Sequence, residues 1–264
     1  MDTRSIGLID SGCGGISIAL SIRRLLPAES LLYIGDHAHA PYSDKSTEAI
    51  QKRAVACIRY AVEKDVKIIV IACNTATVAG IDAYRKIFPS IPIIGVVPVI
   101  KTAVAKTKNK KIAVLSTKYT AESAYQVSLI KQFANGCDVL SIGTSTLVRA
   151  VEKGKLGVEE RKNILLPLLE QVKEHACDVV VLGCTHFPLI KQEIGQILGG
   201  QIEIIDSSDA VARQVEKILM HNMVQTTATN HVDKFMTTGD KASFQHILDW
   251  KWEEPTIVEI ANIS

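Results

Sequence analysis

The sequence lacks the charge pattern of a protein that binds nucleic acid or a membrane surface. Its 264 residues carry 30 Lys and Arg against 28 Asp and Glu, for a formal net charge of +2. No block of five or more like charges occurs. Long apolar segments are missing too, since the longest mostly apolar run, residues 91–100, is about half a membrane span and contains two prolines. These absences predict that the partner is a small molecule and that the protein binds neither nucleic acid nor a membrane.

The first residues lack the apolar core of a signal peptide, because only four apolar residues precede Asp10. We therefore expect a soluble, cytoplasmic protein. No C-x-x-C pair occurs among its cysteines, which removes the main signature of zinc-ribbon and thioredoxin-type sites. In the cytoplasm these thiols should be mostly reduced. The six are Cys13, Cys57, Cys73, Cys137, Cys177 and Cys184.

Neither a metal nor a cofactor is predicted. His37 and His39 lie close together in a loop, but a metal site needs a third ligand that the sequence does not show. We therefore interpret both as solvated loop histidines. A homodimer is compatible with the sequence, which does not fix the oligomeric state.

The 47% hydrophobic content can form a sizeable core, and the length favours two modest domains. Short β-branched runs alternate with helix-length amphipathic segments, which favours an α/β fold with mainly parallel sheets. Cys57 lies on one such helical stripe and is predicted to be a core residue. Strands are predicted at residues 5–9, 31–34, 67–72, 91–97, 111–115, 139–142, 178–183 and 202–205.

A weak internal repeat suggests two similar lobes. Residues 65–75 align with 178–186, and this places Cys73 and Cys184 at the same position. Residues 6–11 likewise align with 112–117. We therefore predict two pseudosymmetric three-layer domains with an active site in the cleft between them. The predicted domains are 1–98, completed by 208–264, and 99–207.

Polar residues follow several predicted strands, and ligands of parallel sheets bind at the carboxyl ends of strands. Asp10 follows the first strand, and Cys73 and Cys184 follow two equivalent ones. If each cysteine precedes a helix, the free N–H groups there should lower its thiol pKa from about 8.5 toward about 7. Two facing thiols suit a two-base reaction, in which a thiolate takes an α-proton and the opposite thiol delivers another. The alternative is that both cysteines are small buried residues.

Four separated segments resemble the signature segments of the bacterial glutamate racemase family, in the same order and spacing, within a match that spans about 1–215. They are Asp10-Ser11-Gly12-x-Gly14-Gly15, Ala40-Pro41-Tyr42 after Asp36, Ala72-Cys73-Asn74-Thr75-Ala76 and Gly183-Cys184-Thr185-His186-Phe187-Pro188. The resemblance implies two pseudosymmetric α/β domains and a racemisation that needs no pyridoxal phosphate. It also implies that the reaction supplies D-glutamate for peptidoglycan synthesis, on which cell shape depends.

The resemblance also implies roles for individual residues. Cys73 and Cys184 correspond to the acid/base pair, with Cys73 acting on D-glutamate and Cys184 on L-glutamate. Asp10, Glu152 and His186 resemble the assisting polar groups. The implied substrate contacts are Asp10, Ser11, Tyr42, Ser43, Asn74, Thr75, Thr185 and His186.

Some positions depart from the family pattern. Ser43 stands where the family usually has Gly, and Thr144, Ser145 and Arg149 occupy a stretch where the family more often has a Cys-Pro…Pro pattern. Glu152 lies within this stretch. Neither departure affects the two cysteines.

Four other functions remain open. An aspartate or other amino-acid racemase would use the same two-thiol chemistry. The Gly12-x-Gly14-Gly15 loop followed by Asp36 resembles a dinucleotide-binding fingerprint that lacks its third glycine. Cys184 with His186 suits an amidohydrolase, although Cys73 would then be unexplained. A silent amino-acid receptor would share the cleft.

Overall fold

The structure, a computed structural model, describes residues 2–226 and 231–263 and is built on two parallel β-sheets. The strands are β1 (Ile6–Asp10), β2 (Leu31–Gly35), β3 (Ile68–Ile71), β4 (Ile93–Gly95), β5 (Lys111–Ser116), β6 (Asp138–Gly143), β7 (Val179–Gly183), β8 (Glu203–Asp206), β9 (Lys234–Thr237) and β10 (Val258–Ile260). The α/β class with mainly parallel sheets is thus confirmed, and each of the eight predicted strands is present.

Helices connect these strands in chain order. They are α1 (Ile16–Leu25), α2 (Thr47–Glu63), α3 (Asn74–Ile87), α4 (Ile100–Lys106), α5 (Lys118–Ala121), α6 (Ala124–Phe133), α7 (Thr146–Val151), α8 (Val158–Glu174), α9 (Lys191–Leu198), α10 (Ser208–His221) and α11 (Lys241–Lys251). Short 3-10 turns occupy His37–His39, Tyr42–Asp44, Gly154–Gly157 and Phe187–Ile190. In the described part of the chain, no helix combines the length and the apolar character that crossing a membrane requires.

The two sheets share one topology over four strands. The first has the order β10-β9-β2-β1-β3-β4 and the second β6-β5-β7-β8. Ile6 of β1 pairs with strands on both sides, as Ile112 of β5 does in the second sheet. Hence β3 and β7 are equivalent strands, and Cys73 and Cys184 follow them. The internal repeat of the sequence corresponds to this shared strand order.

Burial explains why the apolar runs form these elements. β1, β3 and β7 are buried along their whole length, as expected for parallel strands covered on both faces. Helix α2 begins after Ser46, whose hydroxyl accepts a hydrogen bond from the Ala49 N–H at 3.2 Å. Its apolar stripe, which includes Cys57, is fully buried against the first sheet.

The tail of the chain forms a strand, a helix and a strand. β9 pairs with β2 and β10 pairs with β9, so both tail strands extend the first sheet. Helix α10 packs against α1. The domain boundaries near residues 98 and 207 remain a prediction.

Candidate active site

The carboxyl ends of the central strands meet at a small cavity between the two sheets. Its volume is about 10 Å³, enough for about one water molecule. The lining residues are Ser11, Pro41, Tyr42, Ser43, Cys73, Asn74, Thr75, Thr117, Val148, Cys184, Thr185 and His186. Both cysteines and most of the predicted substrate contacts therefore lie around one space, which must open before an amino acid can enter.

Cys73 stands directly at the start of helix α3. Its Sγ accepts a hydrogen bond from the Ala76 N–H at 3.4 Å and lies 3.7 Å from the Ser11 hydroxyl. The sequence predicted that this position would lower the thiol pKa, and that prediction is wrong for the closed site. Burial raises the pKa of Cys73 to about 12, and the nearby Asp10 carboxylate adds to the effect, while the two hydrogen bonds oppose it.

Cys184 has different surroundings, because a 3-10 turn follows it where the sequence suggested a helix start. Its Sγ lies 3.7 Å from Nδ1 of His186. The other ring nitrogen of His186, Nε2, lies 2.5 Å from Oε1 of Glu152. Cys184, His186 and Glu152 therefore form a continuous chain of polar contacts.

The short contact between His186 and Glu152 sets the charge of both groups. Burial alone would raise the pKa of Glu152, but the hydrogen bond and the charge of His186 outweigh it and lower the pKa to about 2. Burial would also lower the pKa of His186, yet its hydrogen bonds raise that pKa well above the ordinary value. Glu152 is thus a carboxylate that holds the His186 ring beside Cys184.

Asp10 lies just behind the cavity and does not line it. Its Oδ1 accepts the Gly12 N–H at 2.7 Å, and its Oδ2 accepts the Thr185 hydroxyl at 3.2 Å. The carboxyl is 1% exposed, and burial raises its pKa, although the charge of His186 and the Gly12 N–H oppose the shift. Asp10 therefore holds the Gly12 backbone and the Thr185 side chain in place from behind the cavity.

The glycine loop serves close packing. A Cβ on Gly12 would lie 1.9 Å from Oε1 of Glu152, and one on Gly14 would lie 2.5 Å from Nδ1 of His186. The absence of side chains lets both polar groups approach the loop. Because these groups already fill the space over the loop, the geometry does not favour the dinucleotide interpretation.

Asp36 is also unsuited to a ribose contact. It is fully buried, and Tyr42, Arg53 and Thr238 all donate hydrogen bonds to it. The hydroxyl of Tyr42 is consequently directed at Asp36 and occupied there. Asp36 anchors the turn that presents Tyr42 and Ser43 to the cavity.

The residues that depart from the family pattern lie beside the cavity, in the turn that carries Ser43 and in the segment after β6. We call these two segments the mouth of the site. Arg149, on α7, forms an ion pair with Asp44, which follows Ser43 in the 3-10 turn. The Thr144 hydroxyl lies 3.2 Å from that of Thr146, and Ser145 precedes α7 without capping it through its side chain. The Arg149–Asp44 pair connects the segment after β6 with the segment after β2.

Sequence reasoning missed three cavity residues and one neighbour. Thr117 lines the cavity, and its hydroxyl lies 3.0 Å from that of Thr75; the repeat, which aligns Thr117 with Ser11, could have revealed it. Pro41 lies in the segment Ala40-Pro41-Tyr42 that resembles a family signature but was not predicted as a contact, and Val148 carried no signal. His37 was interpreted as solvated, but its side chain is only 13% exposed and its Nε2 lies 3.7 Å from Oε2 of Glu152.

Two groups of three potential metal donors occur in the described part of the chain, although the sequence showed no ligand cluster. They are Cys13, Glu152 and His186 in the core, and His231, Asp233 and Glu254 in the tail. A separation of 2.5 Å between His186 and Glu152 is too short for two ligands that each lie about 2.0 Å from one tetrahedral ion. The first group is therefore a hydrogen-bonded network.

Comparison with known proteins places this geometry in a family. The sequence profile described as Asp/Glu/Hydantoin racemase matches residues 6–215. A glutamate racemase of Stutzerimonas stutzeri is 37% identical over 256 residues, 96% of each chain.

Two solved structures are similar over almost the whole chain. Glutamate racemase isoform RacE1 from Bacillus anthracis has a TM-score of 0.90 at 32% identity and covers 99% of this chain and 98% of its own. Escherichia coli glutamate racemase, in complex with L-glutamate and the activator UDP-MurNAc-ala, has a TM-score of 0.84 at 31% identity and covers 99% of both chains.

Proposed function

Because this chain belongs to the Asp/Glu/Hydantoin racemase family, we propose that it interconverts L-glutamate and D-glutamate by exchanging the α-proton between Cys73 and Cys184. One observation carries the proposal. The two cysteines follow equivalent strands of two sheets with the same strand order, and both line one small cavity. Such an arrangement can present one sulfur to each face of a substrate carbon.

The reaction needs two proton transfers and no net change of charge. The thiolate of one cysteine removes the α-proton and becomes a thiol, while the thiol of the other delivers its proton to the opposite face of the planar carbanion. The α-ammonium of the substrate favours the thiolate of Cys73, because an opposite charge offsets the burial that raises its pKa in the empty site. By resemblance, Cys73 acts on D-glutamate and Cys184 on L-glutamate.

The remaining site residues divide into two groups. Asp10, His186 and Glu152 assist the thiols: Asp10 through the loop and Thr185, and Glu152 through His186. Substrate binding falls to polar residues around the cavity, which supply hydroxyls, amides and backbone N–H groups for the two carboxylates: Ser11, Tyr42, Ser43, Asn74, Thr75, Thr185 and His186. Asp10, which the resemblance also implies as a contact, acts from behind the cavity through Thr185.

The proposal extends to the cellular role and organisation. The product D-glutamate serves peptidoglycan synthesis in the cytoplasm, and no cofactor takes part. The two lobes are 1–98 completed by 208–264, and 99–207, as the tail strands that extend the first sheet support. Sedimentation of the purified protein distinguishes a monomer from a homodimer.

A chiral assay tests the proposal directly. Purified protein, dialysed against a chelator and without pyridoxal phosphate, should convert either enantiomer of glutamate to the racemate and act much more slowly on aspartate. In deuterated water the product should carry deuterium at the α-carbon. If the protein binds glutamate but does not turn it over, it is a receptor. If it turns over aspartate faster than glutamate, it is an aspartate racemase.

A further inference from the structure

We propose that His231, Asp233 and Glu254 form a binding site for one divalent first-row metal ion such as zinc, and that this ion connects the tail of the chain to the first sheet. They are the second group of potential metal donors in the described part of the chain. The sequence did not indicate such a site, because the fold brings together residues from two separate segments. The site is distinct from the proposed racemisation and does not depend on it.

The three residues come from the two ends of the β9–α11 unit. His231 and Asp233 precede β9, and Glu254 follows α11. One donor atom from each residue lies within 4.8 Å of the other two. Nε2 of His231 lies 3.0 Å from Oε2 of Glu254 and 4.0 Å from Oδ2 of Asp233. The imidazole therefore stands between two carboxylates.

Asp233 carries an oxygen that lacks a partner. Its side chain is only 4% exposed. Oδ1 accepts the Leu31 N–H at 2.9 Å and pairs with Arg23, whereas Oδ2 is buried and has no hydrogen-bond partner. Burying a carboxylate oxygen without a partner costs free energy, so such atoms are rare in folded proteins. This oxygen faces Nε2 of His231, and a cation between them would satisfy it.

A proton on His231 accounts for only part of this arrangement. An imidazolium carries a single proton at Nε2, and the nearer acceptor for it is Glu254. Oδ2 of Asp233 then stays without a partner. A metal ion in place of that proton bonds all three donors at once. The two carboxylates and Arg23 together carry one net negative charge when His231 is neutral, which also favours a cation.

The distances and the donor types suit zinc. Two ligands that each lie about 2.0 Å from a tetrahedral ion are about 3.3 Å apart. The two distances at Nε2 of His231, 3.0 and 4.0 Å, lie on either side of that value, and the half-exposed Glu254 has room to adjust. Imidazole with carboxylates suits zinc and its first-row neighbours, whereas magnesium and calcium prefer oxygen ligands alone. Water completes the coordination.

The location of the site gives the ion a structural role. Asp233 contacts Leu31, the first residue of β2, and Arg23 of α1. The site thus lies at the amino ends of β2 and β9, whereas Cys73 follows the carboxyl end of β3. An ion held there connects both ends of the β9–α11 unit to the first sheet. Because it binds the folded chain, it raises the free energy of unfolding as its concentration exceeds the Kd.

The test titrates zinc into protein that has been freed of metal with a chelator. Calorimetry gives the Kd, and thermal unfolding gives the Tm. Zinc at about a hundred times its Kd should raise the Tm of the unchanged protein by roughly 5 °C. The same concentration of magnesium should leave the Tm unchanged. Glu254→Gln removes an anionic ligand at a half-exposed position, where the fold tolerates the change, and should weaken zinc binding at least about tenfold.

Glu253→Gln is the matched control, because Glu253 is the exposed neighbour of Glu254 and the charge change is the same. It should bind zinc as the unchanged protein does, while His231→Gln should behave like Glu254→Gln. Cysteines also bind zinc, so bound Co²⁺ serves as a second probe and should lack the absorption band of a cobalt–thiolate bond. Equal zinc binding by Glu254→Gln and Glu253→Gln, or a thiolate band, would refute the site. A Tm that zinc does not change would reduce the cluster to an ion pair.

Discussion

Asp10 and His186 act through the thiols that they support. Asp10 has almost no exposed surface and does not line the cavity, whereas His186 contacts Cys184. Both should therefore matter more for the transition state than for holding the ground state. Asp10→Asn and His186→Asn are expected to lower kcat at least a hundredfold and to change KM less than about threefold. Steady-state kinetics in both directions measure this, and a raised KM at unchanged kcat would make them binding residues.

Glu152 links the site to the stability of the protein. Its pKa is lowered from 4.5 to about 2 in the folded state, chiefly because the hydrogen bond of His186 outweighs burial. A lowered pKa contributes stability that is present above pH 4.5 and is lost as the pH falls toward 2. The shift corresponds to at most about 3 kcal/mol.

We therefore expect the free energy of unfolding to fall between pH 4.5 and pH 2 more steeply in the unchanged protein than in Glu152→Gln. Urea unfolding at several pH values measures both curves. Glu203→Gln is a control, since Glu203 is a partly exposed carboxylate of the second sheet. Parallel curves for the unchanged protein and Glu152→Gln would show that the ion pair with His186 does not persist in solution.

Individual residues also show how far sequence reasoning reached. The cysteines could be located because each follows a long apolar run that is almost obliged to be a buried parallel strand. The contact between His37 and Glu152 joins residues 115 positions apart and leaves no local pattern. The pKa of Cys73 was predicted with the wrong sign because the sequence shows the helix start and does not show how completely the site is closed.

At the scale of elements, strands were easier to predict than helix limits. Helix α8 begins at Val158 and contains Pro167 in its interior. Its apolar stripe begins only at Ile164 and its first turns are mostly polar, so the sequence pattern does not show where the helix begins. The strands had no such polar extension, and their limits differ from prediction by few residues.

The Arg149–Asp44 ion pair is an element-scale contact that holds the mouth of the site. It connects α7 with the turn that carries Ser43, and both side chains are partly exposed, so salt should weaken it. Arg149→Ala is expected to raise KM for both enantiomers about twofold to fivefold, because the closed form loses a contact. KM of the unchanged protein should rise with ionic strength toward the value of the variant.

A matched control removes an exposed ion pair elsewhere. Lys106→Ala breaks the pair with Glu203, at the second sheet, and should leave KM and its salt dependence unchanged. If Arg149→Ala kept both the KM and the salt dependence of the unchanged protein, the Arg149–Asp44 ion pair would not stabilise the closed form.

At the scale of the whole molecule, the two sheets act as halves of one catalytic unit. Each contributes a central strand, an equivalent third strand and a cysteine at its end. The cavity of about 10 Å³ is too small for glutamate, so the space between the two sulfurs must widen to admit the substrate. The opposed placement of the sulfurs is the central claim, because racemisation depends on it.

The most direct measurement of that claim uses a glutamate that carries a leaving group at the β-carbon. Elimination follows α-deprotonation and needs no reprotonation, so it reports the action of one base alone. A serine hydroxyl is too weakly acidic to replace a thiolate near neutral pH, so Cys73→Ser and Cys184→Ser should each lose racemisation by orders of magnitude in both directions. Cys73→Ser should still eliminate from the L-form, and Cys184→Ser from the D-form. Loss of the same enantiomer in both variants, or normal racemisation in either, would contradict the two-base assignment.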